Sequence, residues 1–424
     1  MILSHNKLNL LSLIIIQASN AIVPLILFPY VLKIMGSDSY AQIVTTEAVM
    51  FIIYAFVLYS FEINGVSSVV KSRDSVKPNA LSKIFINIFF IRLSILLFTA
   101  IPIYLLYLYY HNTIFELLLL WLLYPLSFIF QSAYFYQGLE RNTLLALFVF
   151  TSRMLTLIFI FIFVSDNSDI YLVPAIIGGT YMFAGILSFL YIWVKYNIRL
   201  NLINFSYVKD LIMEGKEIFF GNVSVILFRG SNVLLLGMFT HDSLAISAYS
   251  IAEKFIKSLQ AVMRPLNQYY FPKAIVMLEN NKHPNKTALK GLFRLSIIQL
   301  VSLLFLIVVL FIVYNSRASI DSLNNYPHIE HIFLIISIML PAILVGILNF
   351  MYGSVGLNHL NSKKYYAKSI FATGILSILV ASILIIFLKD YGAAIAFLIS
   401  ECLLFLFILK KYFKKTPHMD TIWK

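Results

Sequence analysis

Long apolar runs recur from the beginning of the chain to its end, and they limit what it can fold into. Each is about 20 residues long, the length of helix that crosses the roughly 30 Å hydrocarbon layer of a membrane. Because lipid offers no hydrogen bonds, backbone groups there must bond to one another, as they do in helices. The composition agrees, since 60% of residues are hydrophobic, 12% are charged and mean hydropathy is +0.88, whereas soluble domains are roughly a quarter charged. The sequence predicts an all-α integral membrane protein.

Twelve of these runs qualify as transmembrane helices. The eighth is the least apolar of them. They lie near residues 8–30, 41–62, 84–110, 114–137, 143–164, 171–194, 218–239, 245–270, 295–314, 331–356, 369–388 and 391–409.

The basic residues are divided unequally between the two sides of the predicted membrane. Alternate loops, counted from the N-terminus, hold nearly all of those outside the spans, and the opposite loops hold Lys33, Arg317 and Lys389. Cytoplasmic loops of membrane proteins carry the excess of Lys and Arg, so both termini are predicted to be cytoplasmic. The formal net charge of +13 then reflects membrane topology, and we expect no nucleic acid partner.

A basic cytoplasmic connection separates the first six spans from the last six. We therefore expect an N-terminal six-helix lobe at 1–200, a linker at 201–217 and a C-terminal six-helix lobe with a basic tail at 218–424. The segments MGSDSYAQIVTTEAV (35–49) and FTHDSLAISAYSIAE (239–253) are weakly alike and hold equivalent places in the two halves. This pattern favours parallel repeats, an architecture typical of transporters, with the substrate path between the lobes.

Three arginines lie well inside predicted spans: Arg92 in the third, Arg153 in the fifth and Arg229 in the seventh. A central charge costs roughly 2.5 to 3.5 kcal/mol in a membrane helix, so each must be offset by a buried partner or by a function. A guanidinium stays charged and presents a planar set of donors that matches phosphate oxygens. We interpret these arginines as lining a hydrated, cationic cavity for an anionic head group.

The eighth span carries a polar stripe. Its members recur at steps of three and four, so they share one face of a helix, which must contact protein or water instead of lipid. The alternative is that Glu253 and Lys257, four residues apart, form an ion pair with a purely structural role. We assign Lys257 and Arg264 to the predicted cavity. The stripe comprises Ser250, Glu253, Lys257, Gln260, Arg264 and Asn267.

Few acidic residues are available to neutralise these cations. Glu62 and Glu116 lie at the ends of predicted helices, which leaves Glu47, Glu253 and Glu401 at depth and predicts an excess of basic charge there. We consider the same three glutamates as candidates for coupling transport to a proton or sodium gradient. An equal alternative for Glu401 is a polar contact between helices.

Sequence signals for other chemistry are missing. The chain has no GxxxxGK[ST], HExxH or GxSxG motif, so neither ATP hydrolysis nor hydrolytic catalysis has a visible basis. Cys402 is the single cysteine, and none of the eight histidines falls at the middle of a predicted span. We therefore expect no metal site and no cofactor.

Two short segments resemble a known family. YFYQGLERN (134–142) closes the fourth span and DYGAAIAFLISE (390–401) opens the twelfth, and with the two six-span halves they resemble the polysaccharide (O-antigen) flippase family. That family belongs to the superfamily of the MATE exporters and the lipid II flippase. The resemblance covers essentially the whole chain, and its motifs are short.

The resemblance implies a two-lobed, MATE-like helical bundle in the bacterial inner membrane. Such a protein turns over a polyprenyl-pyrophosphate-linked oligosaccharide from the cytoplasmic to the periplasmic leaflet. The lipid tail would stay in the bilayer, while diphosphate and sugars follow the polar path. A polysaccharide polymerase and a chain-length regulator are the protein partners that this reading implies.

Three alternatives remain open. A cation-coupled multidrug exporter of the same superfamily would want an acidic cavity, which the predicted excess of basic charge argues against. A membrane enzyme, either a polymerase or a glycosyltransferase, generally needs a sizeable outer loop, and here the outer loops are short. A scaffold would have no reason to bury several cations.

Overall fold

The computed structural model describes residues 5–73, 79–279, 286–315, 326, 328–357 and 362–415. Every regular element among them is a helix, and this part of the chain contains no strand. Most of the predicted outer loop near 315–330, with Arg317, and the end of the basic tail lie outside the described residues. The all-helical prediction is confirmed for the residues that are described.

The described chain divides into two compact units between Ile226 and Leu227. The N-terminal unit contains short 3-10 turns at Asn167–Tyr171 and Leu200–Leu202 in addition to its α-helices. These are α1 (His5–Leu58), α2 (Asn64–Arg73), α3 (Ala80–Tyr110), α4 (Thr113–Trp121), α5 (Leu123–Gln131), α6 (Ala133–Gly138), α7 (Asn142–Phe163), α8 (Leu172–Lys195) and most of α9 (Phe205–Arg229).

The C-terminal unit begins with the last turn of α9. A π-helical segment, Asn349–Leu357, directly follows the fourth of its remaining helices. Those helices are α10 (Asn232–Phe239), α11 (Ser243–Glu279), α12 (Lys286–Asn315), α13 (Ile329–Leu348) and α14 (Lys363–Lys415). The predicted linker at 201–217 contains a 3-10 turn and the beginning of α9, so much of it is helical.

Two helices are about twice as long as one membrane crossing requires, and each is broken once. In α1 the break is at Gly36 (φ 74°, ψ 175°), and in α14 it is at Lys389 (φ 49°, ψ −126°). Both residues have left-handed φ values that a regular right-handed helix excludes. The breaks fall between predicted spans one and two and between predicted spans eleven and twelve.

Within the described residues, seven helical segments are long and apolar enough to cross a membrane, or eight if the broken helix α9–α10 is one span. Two of the seven, Leu11–Leu58 and Lys363–Tyr412, contain the breaks at Gly36 and Lys389. The chain is thus a multi-pass membrane protein, while the prediction of twelve spans with cytoplasmic termini stays a prediction.

Aromatic packing forms the core of the N-terminal unit. Phe85 and Phe135 are fully buried there, and their rings meet edge to face with centroids 5.4 Å apart. Gly138, from the QGLERN segment, lets α6 approach α2, because a Cβ on this glycine would lie 2.6 Å from Val69. That close approach explains why a glycine is needed where the fourth predicted span ends.

Gly36→Ala is expected to destabilise the protein by about 1–3 kcal/mol, because φ 74° with ψ 175° is a conformation that essentially only glycine adopts. The matched control is Gly179→Ala within α8, where an added Cβ has no neighbour within 4 Å. Alanine there should be neutral or stabilising by roughly 0.5–1 kcal/mol. Thermal unfolding of the detergent-solubilised variants measures both effects, and equal midpoints would contradict the assigned backbone break.

Candidate substrate site

Arg92 is completely buried in α3 of the N-terminal unit. Its Nη2 donates to Glu62 Oε1 at 2.8 Å, and its guanidinium lies 5.0 Å from the ring centre of Tyr134 and 5.6 Å from that of Phe61. Nε and Nη1 of Arg92 are buried without a hydrogen-bond partner. The sequence reading set Glu62 aside as a helix-end residue, and the structure corrects this, since Glu62 follows the end of α1 and faces Arg92.

Arg153 in α7 is bound mainly by neutral groups. Its Nε and Nη2 both donate to Asn20 Oδ1, at 3.2 and 2.9 Å, and its guanidinium stacks on Tyr181 at 3.6 Å from the ring centre. Arg153 and Glu47 both interact electrostatically with the Tyr181 hydroxyl. Arg153 is 7% exposed, so this positive charge is held against an amide and an aromatic face inside the N-terminal unit.

Arg229 is the last residue of α9, and the next helix, α10, begins at Asn232. Arg229 Nε donates to Glu401 Oε1 at 2.7 Å, and its Nη2 lies 2.7 Å from the same oxygen in an ion pair. Asn349 Nδ2 donates to the other carboxylate oxygen, Oε2, at 2.8 Å and to the Glu401 backbone carbonyl at 3.0 Å. Glu401 is fully buried whereas the Arg229 side chain is 34% exposed, so the carboxylate anchors the cation from behind.

A cavity of about 300 Å³ lies in front of this ion pair, entirely within the C-terminal unit. That volume is at the lower end of small-molecule sites. Helices α9, α11, α13 and α14 and the π-helical segment contribute its walls, which mix polar and apolar side chains. The lining residues are Arg229, Gln260, Met263, Asn267, Ile343, Gly346, Ile347, Asn349, Phe350, Ser354, Tyr366 and Leu404.

The described residues of the polar stripe on the eighth predicted span are buried, line the cavity or, for Lys257, are 42% exposed. Ser250 and Glu253 are buried, and Gln260 and Asn267 line the cavity. Lys257 Nζ donates to Glu253 Oε2 at 2.9 Å, which confirms the structural pair that the sequence suggested. The side chain of Arg264 lies outside the described part of the structure.

The described cations therefore hold less unbalanced charge than the sequence suggested. Arg92, Arg229 and Lys257 each bond to a glutamate, while Arg153 bonds to an asparagine. Of the eight predicted site residues, the structure brings Arg229 together with Glu401, and Lys257 with Glu253. Whether these groups serve one substrate path stays a prediction.

One cluster at an end of α13 was missed by sequence reasoning. His331 Nε2 is bonded to the buried carboxylate of Asp390, and the Tyr391 hydroxyl is 3.0 Å from His331 Nδ1. Next to it, Lys389 Nζ donates to Asp242 Oδ2 at 2.6 Å, and this bond holds the pKa of Asp242 below its usual range. The residues are up to 147 positions apart, so spacing alone gave no signal for the contacts.

Comparison with protein families places residues 7–275 in the polysaccharide biosynthesis protein family. The match covers well over half of the chain. The chain belongs to this family. The QGLERN segment and the aromatic core of the N-terminal unit both lie within the matched region, whereas Glu401 and the α13 side of the cavity lie beyond it.

Two curated relatives carry the name "Putative O-antigen transporter". The one from Escherichia coli (strain K12) is 25% identical over 412 residues, covering 95% of this chain and 96% of its own length. The one from Shigella dysenteriae is 22% identical over 289 residues, covering 66% of this chain and 70% of its own length.

Solved structures with the same fold are MATE transporters. An inward-facing multidrug resistance MATE family transporter matches with a TM-score of 0.67 at 13% identity, over 96% of each chain. A eukaryotic MATE transporter matches with a TM-score of 0.54 at 15% identity, over 97% of this chain and 96% of its own. The MATE-like part of the fold prediction is confirmed.

Removing Arg229 should destabilise the protein more than removing the charge of Glu401. Arg229→Gln leaves a carboxylate buried and unpaired, a change that costs about 3–5 kcal/mol, whereas Glu401→Gln leaves a guanidinium that can turn toward the cavity. The double variant should recover part of the loss. Unfolding midpoints of the three variants in detergent test this order, and a double variant less stable than Arg229→Gln would contradict it.

Proposed function

We propose that this protein is a flippase for a polyprenyl-pyrophosphate-linked repeat unit of a surface polysaccharide. It carries the unit from the cytoplasmic to the periplasmic leaflet of the bacterial inner membrane. The observation that carries the proposal is the cavity of the C-terminal unit, which has both polar and apolar walls and exposes part of Arg229. Two of the helices that line it, α13 and α14, are long and apolar enough to span a membrane. A lipid-linked sugar needs such a polar site inside an otherwise apolar protein.

Family membership and fold support the same function from different directions. The family concerns polysaccharide biosynthesis, the curated relatives are named as O-antigen transporters, and the related folds belong to transporters. Within this proposal a polysaccharide polymerase and a chain-length regulator are the proteins that would receive the product.

Arg153 is our candidate for binding the diphosphate. Its hydrogen-bond acceptor is the neutral oxygen of Asn20, so its positive charge is not cancelled through these bonds. Arg229, Arg92 and Lys257 already contact carboxylates, and each would have to exchange its partner to bind phosphate. Arg264 belongs to the same proposed set by its place on the polar stripe. Glu47, Glu253 and Glu401 remain the proposed coupling groups for a proton or sodium ion.

Arg153→Gln should abolish surface polysaccharide and leave lipid-linked repeat units in the cytoplasmic leaflet. Gln keeps an amide donor for Asn20 but removes the charge, and it leaves no carboxylate among the hydrogen-bond partners of Arg153 unpaired. The matched control is Arg73→Gln, which breaks an ion pair with Glu140 at the end of α2, where both side chains are substantially exposed. Surface polysaccharide is labelled, and the amount of each protein variant in the membrane is measured, in a flippase-deficient host that makes the repeat unit.

Normal polysaccharide with Arg153→Gln would contradict the role of Arg153. If the wild-type protein fails to restore surface polysaccharide in a flippase-deficient host that makes its own repeat unit, the proposed flippase function is contradicted. Two alternatives have their own outcomes: efflux of cationic dyes that requires Glu253 or Glu401 would favour a drug exporter, and glycan extension in vitro would favour a polymerase or glycosyltransferase.

We further propose twelve spans, with cytoplasmic termini and turns at Gly36 and Lys389. In a Cys402→Ser background, Lys389→Cys should react with a membrane-impermeant maleimide from the periplasmic side, because its side chain is 59% exposed at the break in α14. Glu140→Cys, also exposed, should react only after the inner membrane is opened. Labelling of both positions from the same side would contradict this topology.

A further inference from the structure

Two amide oxygens in the C-terminal unit are buried without a hydrogen-bond partner beside the cavity. They are Oδ1 of Asn267, on α11, and Oδ1 of Asn349, at the start of the π-helical segment. Both residues line the cavity, and Asn349 is only 2% exposed. A buried acceptor without a donor is costly, so such groups call for an explanation, and a bound donor is the simplest one.

The orientation of Asn349 is set by its neighbours. Its Nδ2 already donates to the backbone carbonyl and to Oε2 of Glu401, both of which accept only. The carbonyl oxygen of this amide is therefore the atom left without a partner. A ligand that satisfies it must bring an O–H or N–H group.

The charge around the cavity is balanced among the described lining residues. Arg229 is the one cation there; of the five N–H groups that a guanidinium carries, its Nε–H donates to Glu401 Oε1 and its Nη2 lies 2.7 Å from the same oxygen. The remaining N–H groups can donate to a neutral oxygen. A diphosphate would bring a second set of negative charges close to a buried carboxylate and could offer no donor to Asn267 or Asn349.

The remaining walls suit a ring that is polar at its edge and apolar on its face. Phe350 and Met263 supply apolar surface, and the hydroxyls of Ser354 and Tyr366 are 3.0 Å apart. Gly353 lets Tyr366 pack directly against the π-helical segment, because a Cβ on this glycine would lie 2.5 Å from the Tyr366 ring. Tyr366 is thereby held at the wall.

We propose that this cavity binds one neutral sugar ring of the transported glycan, and not its diphosphate. Sugar hydroxyls donate to Asn267 Oδ1 and Asn349 Oδ1 and accept from Arg229, while the C–H face of the ring packs on Phe350. The proposal rests on the proposed flippase function, for which it names the sugar-binding residues.

Direct binding to the full-length protein in detergent tests the proposal. The probes are methyl glycosides of glucose, galactose, rhamnose and N-acetylglucosamine at millimolar concentration, followed by saturation-transfer difference NMR. We expect transfer to the ring protons of at least one glycoside with the wild-type protein. Asn267→Leu should weaken glycoside binding roughly fivefold, the loss expected for one hydrogen bond, and an equal concentration of inorganic pyrophosphate should not compete.

Gln299→Leu is the matched control. Gln299 on α12 is also buried with unpartnered side-chain N and O atoms, but it does not line the cavity. Leucine removes the unpartnered Oδ1 of Asn267 in one variant and the unpartnered N and O atoms of Gln299 in the other, so we expect both variants to unfold close to the wild-type temperature or above it. Only Asn267→Leu should lose glycoside binding, which separates a binding role from a structural one.

Three results would overturn the proposal: no transfer from the wild-type protein to any of the four glycosides, an unchanged signal with Asn267→Leu, or displacement by pyrophosphate. Failure of the flippase function is seen separately, because it is read from surface polysaccharide in cells. Glycoside binding that depends on Asn267 supports the sugar site even if the wild-type chain fails to restore polysaccharide.

Discussion

The cost of holding charge inside an apolar helical bundle governs this structure. Each ionisable side chain in the spans lacks bulk water, so its charge must be met by another group of the protein or by a hydrated site. The sequence has few carboxylates inside predicted spans, so few are available to pair with the cations there. The three arginines inside predicted spans, Arg92, Arg153 and Arg229, have three different kinds of partner.

Arg92 is fully buried and takes a partly exposed glutamate, so its pair reaches the edge of the N-terminal unit. Arg229 has the opposite arrangement, since its carboxylate is buried and the cation is partly exposed. Arg153 relies on an amide oxygen and a tyrosine ring. A guanidinium held by neutral groups keeps its charge unpaired, whereas one bonded to a carboxylate must release that carboxylate before it binds another anion.

Local patterns in the sequence predicted much of the fold. Apolar length predicted helices, and the step of three and four on the eighth span predicted a stripe of polar residues on one helix face. It also predicted the contact of Glu253 with Lys257, because residues four apart are neighbours on any helix. The breaks at Gly36 and Lys389 fall between predicted spans, because a chain that crosses the membrane again must first reverse direction.

Contacts between distant segments could not be predicted in the same way. Glu401 lies 172 positions from Arg229 along the chain. Glu62 lies 30 positions from Arg92 and follows the end of α1. No periodicity relates such pairs, because packing angles and helix order choose them. The excess of basic charge at depth was overestimated for this reason, as a helix-end glutamate was judged by its place along the chain and not by what it faces.

The cavity of the C-terminal unit places binding and stability in opposition. The amide oxygens of Asn267 and Asn349 are buried without a donor, which weakens the folded protein. The break after Arg229 likewise interrupts a helix where a continuous one would keep its hydrogen bonds. Such features persist in stable proteins mainly at functional sites, where strain and unsatisfied groups are relieved by a ligand. A polar ligand with donors and acceptors would relieve both amides at once, which an ion held by Arg229 alone would not do.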